Sequence, residues 1–381
     1  MKLGLVRQRY TPFGGAERFV ERAIDALALR GVAIQVYTRR WPRARAGAME
    51  PVICDPFYLG SLWRDASFAR AVRAALAHSR PEVVQTHERI DGCDIFRAGD
   101  GLHRAWLAER KRAGGWVERM KIAVNPYHRY VLDAEARVFS HPKLEAVICI
   151  SQMVRDDIRA HFKIPDERLH VIYNAVDRRE FNPEVRTHRR TVRASLGLTD
   201  GHVAFLLVGS GYARKGVAIA IRALARLPQE ARLVIVGRET NPSRYVAIAR
   251  RAGVAGRVVF AGPQQDPRPY YGAADAFVLP TLYEPLGNTV LEALACGLPV
   301  LTSRRCGAGE IVVAHDAGWL CDALDDVALA ELMARLIDPA MRALLGARAQ
   351  AAVEALTPEV MTQRLLSLYE MLLDRRRPEA L

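Results

Sequence analysis

The sequence predicts an α/β protein of two Rossmann-like domains, each a mostly parallel sheet flanked by helices. Three observations carry that expectation. The 381 residues are too many for one ordinary core and enough for two. Short apolar runs alternate with longer segments of helical spacing, the pattern of βαβ units. The alternation breaks at a polar, strongly basic stretch, Asp177 to Arg193, and then restarts.

Lys2-Leu-Gly-Leu-Val6 reads as the first strand. After a loop, Gly15 opens a helix in which Phe19, Val20, Ala23, Ile24 and Leu27 follow helical spacing, and Gly31 ends it. Val32 to Thr38, Val83 to Thr86, Ala146 to Ile150 and His170 to Tyr173 are the next strands. Ser151 is placed to cap a helix carrying Met153 to Phe162. Asp177 to Arg193 reads as an interdomain linker. Beyond it come strands at Val203 to Val208, Arg232 to Val236, Val258 to Phe260, Phe277 to Pro280 and Val300 to Thr302. Helices run through Val217 to Leu227 and near Arg244 to Ala252. From about Val327 the chain is helical and ends in Asp374-Arg-Arg-Arg377.

Half of the residues are hydrophobic, as in a globular chain. No apolar run approaches the roughly 18 residues of a membrane span, and the N-terminal apolar stretch is too short for a signal peptide. A cytoplasmic protein is the expectation. The six cysteines are scattered without Cys-x-x-Cys or His/Cys spacing, so reduced thiols and no metal site are expected. A net charge of +13 points to an anionic partner: nucleic acid, an acidic membrane or a phosphorylated substrate.

Tyr283-Glu-Pro-Leu-Gly-Asn-Thr-Val-Leu-Glu-Ala-Leu-Ala-Cys-Gly-Leu-Pro-Val300 is the most informative stretch. It reads as loop, helix, strand, with Asn288 or Thr289 as cap and Gly297 and Pro299 closing the helix. Glu284 then stands just before the helix and Glu292 near its first turn. The helix N-terminus between them suits a phosphate. One carboxylate can take sugar hydroxyls and the other ribose hydroxyls, with Leu286, Gly287, Asn288 and Thr289 supplying the turn between. Equally, Thr289-x-x-Glu292 is a capping box in which Glu292 only satisfies backbone donors.

Two other strand-to-helix turns fit an anion. Val208-Gly-Ser-Gly-Tyr-Ala-Arg-Lys-Gly216 is neither a dinucleotide fingerprint nor a P-loop. It starts from Gly209 and delivers Arg214 and Lys215 to the carboxyl edge of the sheet. Two cations there can neutralise charge on a departing diphosphate; the plain alternative is a solvated basic turn. Pro12-Phe-Gly-Gly15-Ala-Glu-Arg18 follows the first strand, and Gly14 and Gly15 let backbone approach a phosphate, although tight turns use such pairs constantly.

Between Gly101 and Tyr130 lie seven Lys or Arg, two Glu, and Trp106, Trp116, Tyr127 and Tyr130. Basic residues interleaved with aromatics suit an acidic headgroup zone, with Arg18, His103, Trp106, Lys111, Arg112 and Trp116 as acceptor or membrane contacts. A solvated hairpin with its tryptophans packed inward reads equally from the pattern, and Gly114-Gly115 breaks any single helix. Asp100 is the carboxylate expected to face an acceptor hydroxyl, unless it is a turn residue beside Gly101. His87 also follows a strand.

The Glu-x7-Glu stretch resembles the signature of the retaining glycosyltransferases of family four, which have the GT-B fold. Val171-Ile-Tyr-Asn-Ala-Val-Asp177 with Phe181 and Pro183 looks like that family's hinge sequence. The resemblance implies three parts: an acceptor-binding Rossmann-like domain over 1–180, a nucleotide-sugar-binding one over 181–356, and a C-terminal helix over 357–381 that returns to the first. The two parallel sheets are expected to face a cleft. It further assigns Arg214-Lys215 to diphosphate binding, and sets the Gly14-Gly15 loop over the donor diphosphate. Tyr10-Thr-Pro-Phe-Gly-Gly15, Val36-Tyr-Thr38 and the basic aromatic stretch are similar to the branch of the family that builds lipopolysaccharide core. That implies glucose transfer from UDP-glucose to an inner-core heptose, a phosphorylated glycolipid acceptor, and peripheral attachment to the anionic cytoplasmic face of the inner membrane. No metal or cofactor is expected, the nucleotide sugar being a substrate. Catalysis is assigned to Asp100, Arg214, Lys215 and Glu284. A member with another donor or acceptor, a nucleic-acid-binding protein, or a GT-B nucleotide-sugar epimerase are the rival readings; the patterns of nucleic-acid modules are missing.

Overall fold

The computed structural model describes residues 1–9, 31–40 and 49–377. The helix expected from Gly15, with Gly14 and Arg18, lies outside these residues. The chain divides into two compact units, Met1–Asn174 with Pro358–Leu381, and Ala175–Thr357. The change from one unit to the next falls at Asn174, so residues 175–180 belong with the second unit rather than the first.

The first unit holds a seven-stranded sheet in the order β3-β2-β1-β4-β5-β6-β7. Its strands are β1 (Lys2–Val6), β2 (Ala33–Thr38), β3 (Met49–Ile53), β4 (Val83–Thr86), β5 (Ile95–Ala98), β6 (Ala146–Cys149) and β7 (Leu169–Val171). All pairings are parallel. The order reverses at β1 and β4, and doubly wound sheets bind ligands at the carboxyl ends of strands at that point. The helix Gln152–His161 forms as its sequence predicts, with Ser151 Oγ accepting from Val154 N at 3.2 Å.

The second unit repeats the plan with β8 (Val203–Val208), β9 (Ala231–Val236), β10 (Val258–Gly262), β11 (Ala276–Leu279), β12 (Val300–Ser303) and β13 (Gly318–Cys321). Its order is β10-β9-β8-β11-β12-β13, again all parallel, with the reversal between β8 and β11. Every residue of β8 is buried, because a central parallel strand is covered on both faces. Phe205, Leu206 and Leu207 together leave no exposed surface, each contributing about 1.5–3 kcal/mol of burial.

The expected linker needs correction. From Pro183 the basic stretch turns into a 3-10 segment, Pro183–His188, and a helix, Arg189–Ser195, built into the second unit. Two of its arginines, Arg189 and Arg193, are drawn in, while Arg178, Arg179, Arg186 and Arg190 stay exposed. Asp275 accepts from Arg189 Nη2 at 2.6 Å and from Arg193 Nη1 at 3.1 Å, and also takes Ala204 N at 2.8 Å. The carboxylate lies next to the start of β11, a position the local sequence does not reveal.

The helix Pro358–Arg376 belongs to the first unit and docks by its apolar face through Leu365, Leu368 and Leu372. Tyr369 OH donates to Gln85 Oε1 at 2.8 Å, and Arg376 reaches Asp94 at 2.8 Å and Glu145 at 2.5 Å. All six cysteines are buried and free, and burial pushes the Cys149 and Cys296 thiols up to about 12. Among the described residues no helix is long and apolar enough to cross a membrane.

Candidate active site

In the second unit the turn after β8 and the loop after β11 flank the point where strand order reverses. Gly211, with φ of 74°, starts the short helix Tyr212–Lys215, and Gly216, also at 74°, ends it. A Cβ on Gly216 would lie 1.9 Å from Pro280 O, so only glycine lets this turn rest on the end of β11. Thr281 Oγ1 and Leu282 N both donate to Arg214 O, at 2.9 and 2.8 Å. Lys215 folds back over Gly209, where an added Cβ would meet its Cε at 2.7 Å.

This locking brings three of the sequence-derived residues together. Lys215 Nζ donates to Glu284 Oε2 at 2.5 Å, and Arg214 Nη1 donates to the same oxygen. Burial pushes the Glu284 carboxyl up, but Lys215 and then Arg214 outweigh it and hold its pKa below the usual carboxylate range. Lys215 is buried and Arg214 half exposed. The Glu284 backbone is fixed from the other side: its N donates to Arg305 O at 2.8 Å and its O accepts from Gly307 N at 2.9 Å. Ala308 N then reaches Leu286 O at 2.7 Å.

The signature helix forms over Asn288–Ala295, but the expected cap is wrong. Gly287 occupies the cap position at φ of 95°, and no side chain caps the helix. A Cβ there would sit 2.9 Å from Cys306 Sγ, so the tight path past Cys306 takes the glycine and moves Asn288 into the first turn. The capping box therefore does not form. Thr289 Oγ1 is buried without a hydrogen-bond partner, and Glu292 Oε2 accepts from Tyr271 OH at 2.7 Å. The helix N-terminus beside Glu284, Arg214 and Lys215 sets directed N–H groups next to two cations, an arrangement that suits an anion.

Glu239, at the exit of β9, was not singled out from sequence. Its Oε2 accepts from Tyr212 N at 2.7 Å, and its Oε1 takes Thr240 N at 2.9 Å and Asn241 N at 3.2 Å. Burial acts upward, yet these donors hold its pKa below the usual range. The clue is Gly237, which follows β9 as Gly209 follows β8; a Cβ on it would meet Gly209 O at 2.2 Å.

The remaining expected residues lie in the first unit. Asp100 is exposed on the turn after β5, where Gly101 N donates to Ala98 O at 3.1 Å. It is near enough to Glu88 to add to the upward push that burial gives that carboxyl. His87 stands at the end of β4; burial, with Arg97 and Arg7, pushes its pKa well down and keeps the imidazole neutral. Its Nε2 lies 3.0 Å from Gln85 Nε2.

His103 turns inward. Its N donates to the buried Glu135 Oε1 at 2.8 Å, its Nε2 lies 3.1 Å from His128 Nδ1, and burial pushes its pKa down to about 3. Gly114 and Gly115 separate the helices His103–Ala113 and Trp116–Val124. Trp106 is half-buried with the Arg110 guanidinium 5.7 Å from its ring centroid, whereas Trp116 is 76 % exposed. Lys111 and Arg112 are exposed, the latter paired with Glu109 at 2.8 Å. Gly14, Gly15 and Arg18 fall outside the described residues. Among those residues no three His, Cys, Asp or Glu are grouped to hold a metal.

Family models place this geometry. Residues 13–180 match Glycosyltransferase Family 4, and residues 188–351 match Glycosyl transferases group 1. The chain belongs to these glycosyltransferases. It is 27 % identical over 315 residues to the lipopolysaccharide glucosyltransferase WaaG of Escherichia coli K12, covering 81 % of this chain and 82 % of that one. It is 28 % identical over 400 residues to a D-inositol 3-phosphate glycosyltransferase of Xylanimonas cellulosilytica, covering 95 % and 93 %. The crystal structure of WaaG superposes with a TM-score of 0.80 at 23 % identity, covering 95 % of this chain and 98 % of that one. Anabaena HepE with UDP-glucose superposes with a TM-score of 0.71 at 20 % identity, covering 97 % and 100 %. The fold is GT-B.

Proposed function

We propose that this glycosyltransferase is a retaining hexosyltransferase that moves glucose from UDP-glucose to an inner-core heptose of lipopolysaccharide, at the cytoplasmic face of the inner membrane. The observation that carries the donor side is the Arg214–Lys215–Glu284 cluster beside the N-terminus of Asn288–Ala295. The WaaG relationship supports the acceptor.

On this reading the donor diphosphate lies against Arg214, Lys215 and the first-turn N–H groups, and the sequence assigns Gly14 and Gly15 to the same group. Gly209 and Gly287 give the backbone room to approach, and Leu286, Asn288 and Thr289 line the turn. Glu284 takes hydroxyls of the sugar and Glu292 those of the ribose. As the bond from the anomeric carbon to the phosphate oxygen breaks, negative charge collects on the diphosphate, and the two cations stabilise it. That phosphate oxygen accepts the proton of the attacking acceptor hydroxyl on the same face, so configuration is retained. No step asks for a metal or a cofactor. Asp100 faces the acceptor hydroxyl. Arg18, Trp106, Lys111, Arg112 and Trp116 contact the anionic glycolipid surface, with His103 holding the helix that carries Trp106.

A second reading is a phosphorylated acceptor in solution, favoured by the D-inositol 3-phosphate glycosyltransferase that matches a larger share of the chain. Mass spectrometry separates the two. The enzyme is given UDP- and GDP-sugars against lipopolysaccharide truncated at the inner-core heptoses, and separately against inositol phosphate. One hexose added to the truncated lipopolysaccharide, with UDP-glucose alone, is expected. Addition only to inositol phosphate overturns the lipid acceptor.

A further inference from the structure

The first unit carries a second exposed apolar cluster, apart from the helix of Trp116. Phe57, Leu59 and Trp63 are 72, 68 and 46 % exposed, and Ile53 is exposed at the end of the edge strand β3. The Phe57 and Trp63 rings meet edge to face with centroids 5.6 Å apart. Contiguous apolar surface of this kind marks an interaction site.

Its exposure is built in. The guanidinium of Arg39 is buried beneath it and donates to Asp55 Oδ1 and Pro56 O, both at 2.9 Å, to Arg64 O at 2.5 Å and to Ser67 Oγ at 2.8 Å. It also lies 4.6 Å from the centroid of the Tyr58 ring. One side chain thus ties residues 55 and 56 to the first turns of the helix Gly60–His78 and fixes Phe57 pointing away from the core. The exposed charge beside the knob is positive: Arg9 and Arg40 are exposed, while the buried Arg39 and the part-buried Arg64 pair with Asp55 and Asp65. Arg9 donates to Tyr58 OH at 2.9 Å, and Arg40 lies 3.7 Å from Asp55. Apolar residues framed by arginine fit the headgroup boundary of an anionic bilayer.

The knob is next to the other apolar surface. Tyr127 OH donates to Asp65 Oδ2 at 2.9 Å, so the start of Gly60–His78 meets the chain just beyond Val124, another exposed side chain. We propose that Phe57, Leu59 and Trp63 form a second membrane anchor, which inserts into anionic lipid together with the Trp116–Val124 helix. The inference rests on the membrane part of the function proposed above. Two insertion points set the tilt of the first unit on the bilayer, where one would leave it free to rotate. Because Arg39 holds the knob in place, little ordering opposes insertion.

The test is cosedimentation of the full chain with phosphatidylcholine vesicles, with and without phosphatidylglycerol. It compares the wild type with Phe57→Ser/Trp63→Ser and with Trp116→Ser/Val124→Ser, each checked for an unchanged melting temperature. Either double variant is expected to bind anionic vesicles about tenfold more weakly, as loss of two inserted side chains implies. Brominated acyl chains are expected to quench a part of the tryptophan emission that Trp63→Phe removes. If only the Trp116/Val124 variant weakens binding, the second anchor is wrong while the membrane reading stands. If the wild type ignores anionic vesicles, both fall. If Phe57→Ser/Trp63→Ser turns a dimer into a monomer and leaves vesicle binding unchanged, the knob is a contact between copies and the proposal is overturned.

Discussion

Lys215 and Glu284, 69 residues apart in sequence, meet at 2.5 Å, and the same carboxylate oxygen also accepts from Arg214. The contact exists because Gly216 lets the turn after β8 lie against the end of β11. Two cations are thereby held in place, so that on the proposed function charge on a departing diphosphate would be stabilised without reorganisation.

The depressed pKa of Glu284 makes stability depend on pH in a defined direction. A carboxyl titrating below its ordinary 4.5 in the folded state stabilises the fold above that pH. The contribution is lost as pH falls through the folded value. Denaturant unfolding of the wild type and Glu284→Gln is therefore expected to show the larger gap at neutral pH and a narrowing gap below pH 4.5. A gap that widens in acid contradicts the pairing.

Gly216→Ala is expected to cost several kcal/mol, on the order of 3 or more, because it combines a left-handed backbone with a blocked Cβ. Gly256, where an added Cβ meets nothing within 4 Å, is the control, and its alanine variant should melt as the wild type does. Equal melting of the two variants would remove the packing argument for the turn.

Asp275→Ala leaves the buried Arg193 without its carboxylate and Ala204 N without its acceptor. Loss of about 3–5 kcal/mol is expected from breaking such a buried pair. Chemical denaturation measures it, and a change under about 1 kcal/mol would mean that Arg193 is held by the carbonyls of Ala273, Thr199 and His202 alone.

The two signature carboxylates should separate in binding assays. With Glu292 on the ribose, Glu292→Gln weakens UDP binding by about tenfold, the worth of one hydrogen bond to a charged group. With Glu284 on the sugar, Glu284→Gln keeps UDP affinity and lowers transfer. Calorimetry with UDP distinguishes them, and unchanged UDP affinity in Glu292→Gln refutes the ribose role.

Much of this was legible in the sequence where the chain is simplest. The buried parallel strands β8 and β9 are plain apolar runs. Three strands were not seen. β3 carries Glu50 and Pro51, tolerated because it is an edge strand. β5 hides Arg97 in four residues, and β13 is only Gly318–Cys321. Arg214, Lys215 and Glu284 were each singled out by local setting, but their meeting is tertiary, and no local pattern encodes it. The cap failed because Asn288 and Thr289 are good cap residues by propensity, while the approach to Cys306 decides for Gly287. The basic run before β8 looked like a linker for the same reason: its partner, Asp275, lies 82 residues beyond Arg193.

The most direct measurement is steady-state sugar transfer by Lys215→Ala and Arg214→Ala at saturating donor, beside calorimetric donor binding. If these cations stabilise the departing diphosphate, kcat falls by roughly 10²–10³ while the donor still binds. Turnover within about threefold of the wild type would show that the cluster with Glu284 is structural and that the leaving group is stabilised elsewhere.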